Sequence, residues 1–315
     1  MRFFLILFFS CLFFTSFTQL DSSIKDIGVY VSSGEDTIYA NLLLPSEASS
    51  IVLFIAGSGP TDNNGNNPLG MSENYSYKMF AHQLFNNNIA SLRYDKRGIA
   101  KSKNAFFNQK PLRFSYLVDD VLALLKFIRA QYPEKKIIIV GHSQGSLLGM
   151  LAAQKTESLA AFISISGAGL SIDQILKQQF ESQPPFFKKY FYQVIDSLKM
   201  GHQMDTIYPP MPLPTNLQQF MIDWMTYDPV LEISKLRVPV LVINGTHDIQ
   251  VGEDNAIKLV SRNEHCTLKL IDGMSHVLKP APKDKNQNIK TYNNKKTPLH
   301  PDLIPVVVEF INSID

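Results

Sequence analysis

The stretch "IIIVGHSQGSLLGM", residues 137–150, decides the fold. Four β-branched apolar residues, Ile137 to Val140, read as a strand buried on both faces. A Gly-His-Ser-Gln-Gly turn follows, and small and apolar residues at helical spacing begin at once. Strand, tight turn and helix in direct succession make an α/β unit. Gly141 and Gly145 stand where the strand and the departing helix approach too closely for side chains. The reversal forces Ser143, between them, into a strained backbone that holds its hydroxyl clear. Ser143 also sits at a helix N-terminus, where free N–H groups and the helix dipole favour a developing negative charge.

Working outward, the same alternation continues along the chain. The runs 51–57, 88–95, 135–141, 159–167, 238–245 and 266–273 are short and apolar, and most end in glycine. They predict buried strands of a mostly parallel central sheet. Helical patterns at 76–88, 115–131, 146–155 and 255–262 separate them, and a last one at 303–314 closes the chain. Residues 27–45 predict two antiparallel edge strands joined at Gly34. The fold class is therefore α/β, a mostly parallel sheet flanked by helices.

One segment interrupts the pattern. From about residue 170 to 228 no sheet strand is apparent, aromatics and methionines are dense, and "YPPMPLP" (208–214) suits neither helix nor central strand. This length predicts an inserted, mostly helical cap rather than a connection. The polar run 282–298 predicts a surface loop.

The N-terminal "MRFFLILFFSCLFFTSFTQL" has one positive residue, Arg2, an apolar run from Phe3 to Phe14, and small polar residues after it. That layout predicts an export signal over residues 1–18, with one domain over 19–315, a periplasmic or secreted product and no stable membrane insertion once the signal is removed. Cys266 is then the only cysteine, so stability must come from the core rather than an internal disulfide. The formal net charge is +2, and no basic run carries interleaved aromatics, so nothing points to nucleic acid.

A serine hydroxyl is a weak nucleophile until a base takes its proton. After an elbow of this kind the partners follow in the order Asp, then His, each beyond a later strand. "VLVINGTHDIQV" places Asp248 beyond the strand at 238–243, and "LKLIDGMSHVLK" places His276 beyond the one at 266–271. Glu253 and Asp254 fall where the next helix begins and read as N-terminal helix charges. His142 lies inside the elbow, His247 and His265 are poorly placed, and His300 is the second candidate for the base.

The chemistry also needs donors for an oxyanion. The backbone N–H of Gln144 is one, and the glycine-rich loop "IAGSGPTDNNGN" (55–66) supplies the other through Ser58. No Gly-Lys-Ser/Thr follows those glycines, and there is no His-Glu-x-x-His or clustered cysteine spacing. Neither a phosphate loop nor a catalytic metal is expected.

With "GSGPTD", "RYDKRGIAKS", "GHSQG", "WMTYDP", "PVLVINGTHDIQV" and "GMSHVLK" in this order, the chain resembles the α/β-hydrolase superfamily. Within it, the closer resemblance is to exported bacterial esterases and serine-aminopeptidase-like hydrolases with a Gly-Ser-Gly-Pro-x-Asp loop. Ala100 replaces a glycine usual in the "DKRG" loop. Ala56 stands where relatives carry histidine, and Asn63 where they often carry arginine. The resemblance implies a serine hydrolase acting on a small-molecule ester substrate without a cofactor. A peptidase of the same fold is the alternative, and a non-catalytic binding protein ranks last. A cap rich in Phe186, Phe187, Tyr190, Phe220, Met221, Trp224 and Met225 suits a neutral acyl group. Asp62 or Glu73 are the carboxylates left to serve an amine.

Overall fold

The computed structural model describes residues 23–70, 72–106, 112–204 and 215–314. The expected leader, 1–18, and the proline-rich stretch 208–214 lie outside them. In chain order the elements begin with β1 (Ile27–Ser33), β2 (Asp36–Leu43), β3 (Ser50–Ile55), α1 (Ser76–Asn86) and β4 (Ala90–Tyr94). A 3-10 turn at Ala100–Phe106 leads to α2 (Phe114–Gln131), β5 (Lys136–His142), α3 (Gln144–Ala153) and β6 (Leu159–Ile165). Then come α4 (Ile172–Phe180), α5 (Pro185–Lys199), α6 (Thr215–Met225) and α7 (Pro229–Ile233). The chain returns to the sheet with β7 (Val240–Gly245), α8 (Glu253–Val260) and β8 (Cys266–Ile271), and finishes with α9 (Lys285–Asn288) and α10 (Leu303–Asn312).

The strands make one eight-stranded sheet in the order β1-β2-β4-β3-β5-β6-β7-β8. β1 and β2 pair antiparallel about Gly34, whose φ of +62° suits a tight turn, and β2 meets β4 antiparallel. Every other pairing is parallel. The central strands are mostly apolar because both faces are covered: every residue of β3 is buried. On one face, Val118, Val121, Leu148 and Leu151 of α2 and α3 pack on Ile51, Leu53 and Ile139. On the other, Phe80 and Leu84 of α1 and Val307 and Ile311 of α10 pack on Val52, Phe54 and Ile138.

Between β6 and β7 the segment read as a helical insertion forms α4, α5 and α6, with an apolar cluster of its own around Phe191, Val194, Leu198 and Met225. It is fastened to the main body at α6. Trp224 stacks on Phe114 at 5.3 Å and an interplanar angle of 12°, and Arg113 donates to Asp223 at 2.9 Å. The polar run 282–298 is not the simple loop its composition suggests. It forms α9 and a 3-10 turn at Ile289–Asn293, because the Asp284 carboxylate caps α9 by accepting from the Gln287 N–H. Asn288, fully buried, donates to the carbonyls of His247 and Pro282.

Candidate active site

Ser143 stands between β5 and α3 with φ 53° and ψ −120°, a region an L-residue enters only under strain. The flanking glycines explain why the strain persists. A Cβ on Gly141 would run into the Gly145 backbone, and one on Gly145 into the carbonyl of Ile55 in β3. The strand, the elbow and the helix are packed backbone to backbone, so the turn cannot relax. Gln144 is the first residue of α3, and its N–H is among those that a helix N-terminus leaves without an intrahelical acceptor.

Asp248, beyond β7, and His276, beyond β8, lie side by side. The imidazole donates from Nδ1 to Asp248 Oδ2 at 2.7 Å, and both side chains are buried. The other Asp248 oxygen accepts from the N–H groups of Gln250 and Val251, at 2.8 and 2.9 Å. Burial alone would raise this carboxyl, but His276 and the two N–H donors outweigh it and hold Asp248 below its ordinary value. With Nδ1 committed as donor, Nε2 carries the lone pair that accepts a proton.

His300, the second candidate, is elsewhere. Its Nδ1 accepts from the Asp302 N–H, and its ring faces Asp302 at 3.8 Å. His247 bonds the carbonyl of Ala281. Glu253 and Asp254 occupy the first turn of α8, as the sequence indicates.

Two residues of the site were missed as functional in the sequence. His142, read only as part of the elbow, ties three segments together. Its Nε2 donates to the carbonyl of His276 at 2.8 Å, and its Nδ1 accepts from the Tyr77 hydroxyl at 2.8 Å. That hydroxyl in turn accepts from the Gly57 N–H at 3.2 Å. Burial, and then the neighbouring His276, push the His142 imidazole down to about 3, so it stays neutral and keeps this tautomer. Lys96, just beyond β4, is also buried. It donates to the carbonyl of Gly57 at 2.8 Å and to Gln144 Oε1 at 3.0 Å. The sequence signal was there in both cases, a polar residue beside a strand end, but only contact with the loop gives it meaning.

Ser58, Ser143 and Gln144 line one cavity of about 300 Å³. Its wall includes Leu147 of α3, Ile175 and Phe180 of α4, Phe191 of α5, and Met221 and Trp224 of α6. Among the described residues that line it there is no Asp, Glu, Lys or Arg. Of the seven insertion residues expected to suit an acyl group, only Met221 and Trp224 reach the cavity. Phe186 and Phe187 start α5 on the outside, at 79% and 40% exposure, because α5 turns its Phe191–Ile195–Leu198 face inward. Phe220 and Met225 instead pack within the insertion, and Phe220 also lies against Phe114.

The carboxylates weighed for an amine are engaged away from the cavity. Asp62 Oδ1 accepts from the N–H groups of Asn64 and Asn66, each at 2.8 Å, and Glu73 pairs with Lys295. In the insertion, Asp173 pairs with Lys199, Glu181 with Lys188, Asp196 with Lys177 and Asp223 with Arg113. Asp205 lies outside the described residues.

Relatives share this framework. Esterase EstD of Thermotoga maritima is 22% identical over 262 residues, which is 81% of this chain, while the chain spans only 60% of that protein. Among solved structures, a thermostable carboxyl esterase from Bacillus coagulans in complex with glycerol superposes with a TM-score of 0.60 at 15% identity, over 92% of this chain and 98% of that one. The proline iminopeptidase of Mycobacterium smegmatis superposes with a TM-score of 0.57 at 12% identity, over 91% and 98%. At such identities the likeness shows the fold alone, and that fold is the α/β-hydrolase fold. The sequence model of serine aminopeptidase, S33, matches residues 70–230, more than half of the chain. The elbow at Ser143 lies inside this match, and the chain belongs to the serine aminopeptidase S33 family of α/β hydrolases.

Proposed function

We propose that this protein is an exported serine hydrolase that cleaves small carboxylic esters. The observation that carries the reading is the largely apolar cavity lined by Ser143, the residue held in the strained elbow, with no charged group among the described residues that line it. An aminopeptidase must hold an ammonium group, and burying one without a carboxylate is costly. A neutral acyl chain meets no such penalty against Leu147, Ile175 and Met221. The family's peptidase name therefore does not decide the substrate, and the esterases among the relatives agree with the cavity.

In the mechanism, the Ser143 hydroxyl attacks the ester carbonyl while His276 Nε2 takes its proton. Asp248 stays ionised and stabilises the imidazolium. The N–H groups of Ser58 and Gln144 receive the oxyanion, and their action is greatest in a site that excludes water. His276 returns the proton to the departing alcohol, and a water activated by the same base releases the acid. The insertion at about 170–228 acts as the cap that forms the acyl wall. Residues 1–18 direct export and are removed.

The test compares kcat/KM on p-nitrophenyl butyrate with that on aminoacyl p-nitroanilides, alongside labelling of Ser143 by a fluorophosphonate. Preference for the ester with Ser143 labelled supports the reading. A preference for anilides that is lost when the amine is blocked makes the protein an aminopeptidase. Absence of both activities and of labelling makes it a binding protein.

A further inference from the structure

Lys96 has a placement that the proposed reaction does not by itself require. It follows β4, while Gly57 follows β3 and Gln144 opens α3 after β5, three neighbouring strands in the sheet. Its ammonium therefore reaches across the end of β3 to the two segments that carry the oxyanion donors. Both of its hydrogen bonds go to uncharged acceptors, the carbonyl of Gly57 and the Oε1 of Gln144. Burial without a compensating carboxylate pushes the ammonium down to about 7. Putting a charge in such a place is costly to the fold.

The Gly57 carbonyl and the Ser58 N–H are the two ends of one planar peptide unit. In a trans peptide they point in opposite directions. An ammonium bound to the oxygen draws electron density toward it and leaves the N–H a stronger donor, as in any chain of polarised hydrogen bonds. The same contact fixes where that N–H points. Thr61 reinforces it, its carbonyl accepting from the Lys96 N–H at 3.3 Å. The neighbouring Asp95 carboxylate accepts from both the N–H and the side-chain amide of Asn63, at 2.8 and 2.5 Å. The end of β4 thus holds the loop at three points. At Gln144, an ammonium can only donate, so Oε1 is committed to Lys96 and the amide's NH2 is left as the donor end of a cavity-lining side chain.

We propose that Lys96 is a positioning residue of the oxyanion site, holding and polarising the Gly57–Ser58 peptide so that the Ser58 N–H stabilises the charge that forms on the substrate carbonyl. The assignment rests on Ser143 acting as the nucleophile of an ester hydrolase. Its effect belongs to the transition state, so it appears in kcat rather than in KM.

The experiment uses the mature full-length protein with Lys96→Met, which keeps the length of the side chain and removes the donor, and with Lys96→Gln. Fluorophosphonate labelling of Ser143 in the wild-type protein comes first, so failure of the esterase reading shows before Lys96 is tested. Thermal unfolding establishes that each variant is folded, and kcat, KM and the inhibition constant of an alkyl trifluoromethyl ketone are then measured. The ketone adds to the serine as a tetrahedral oxyanion and so reports on that site directly. The expected result for Lys96→Met is a fall in kcat of about tenfold to a hundredfold with KM within about twofold, and a matching loss of ketone affinity. A folded Lys96→Met variant with kcat within about threefold of wild type overturns the assignment. So does a loss that falls mainly on KM or leaves ketone affinity unchanged. Failure of both variants to fold makes Lys96 a stability element and overturns it as well.

Discussion

At the scale of single residues, the consequential contacts are short and few. Ser143→Ala removes one hydroxyl from a backbone fixed by Gly141 and Gly145, so the expected outcome is a folded protein whose kcat/KM falls by about a thousandfold or more. His276→Ala should be as damaging. His300→Ala should leave kcat/KM within about twofold, since His300 faces Asp302 and not Asp248; steady-state assays of the three variants rank the candidates. Ser58 separates backbone from side chain. Ser58→Ala keeps its N–H and most of its activity, whereas Ser58→Pro removes the donor and should cost about 3 kcal/mol of transition-state stabilisation. Equal losses in both would move the role to the hydroxyl.

At the scale of elements, the site depends on the joint between β3, β5 and α3. Gly145→Ala places a methyl group against the backbone of Ile55, which no rotamer can relieve. It should destabilise the protein by about 2 kcal/mol or more, read as a lowered midpoint in urea unfolding. His142, at the end of β5, makes a pH-dependent contribution. The native imidazole resists protonation down to about 3, whereas the unfolded chain binds that proton near 6.5. Over that window the unfolded state holds more protons, so stability rises with pH and is lost on acidification. His142→Asn removes the site, and its melting temperature should decline less steeply than that of the wild type between about pH 6.5 and 4. Parallel slopes would show that His142 is not the group responsible.

At the scale of the whole molecule, the cavity lies where the insertion meets the main body. The cavity has walls from α3 on the main body and from α4, α5 and α6, and its lining carries no charged group among the described residues. A substrate that brings a charge into it must lose hydration without a partner. Hydrolysis of p-nitrophenyl butyrate should therefore exceed that of p-nitrophenyl hemisuccinate by at least about tenfold in kcat/KM. Ile175→Trp, which fills part of the wall, should depress activity on p-nitrophenyl hexanoate more than on the acetate. An equal effect on both esters would show that the acyl group lies elsewhere.

Local signals determined much of this protein. Apolar runs of strand length gave the sheet, because strands covered on both faces carry no polar alternation. Gly141-His142-Ser143-Gln144-Gly145 gave the elbow, because only glycine fits where backbones touch. The Asp248–His276 pair was legible because each lies at the end of a strand that must enter the same sheet. Other features have no local signature. The aromatic residues of the insertion look alike in sequence, yet Trp224 lines the cavity while Phe186 faces outward, since helix rotation is fixed by packing. Asn288 hides in a polar run, although it is buried by bonds to a loop some 41 residues away. Lys96 and His142 are each a short reach from the Gly57 loop or from His276, and that reach exists only once β4, β3 and β5 lie side by side. Periodicity and close backbone approach are written along the chain, whereas contacts between strand ends depend on the order in which the sheet assembles them.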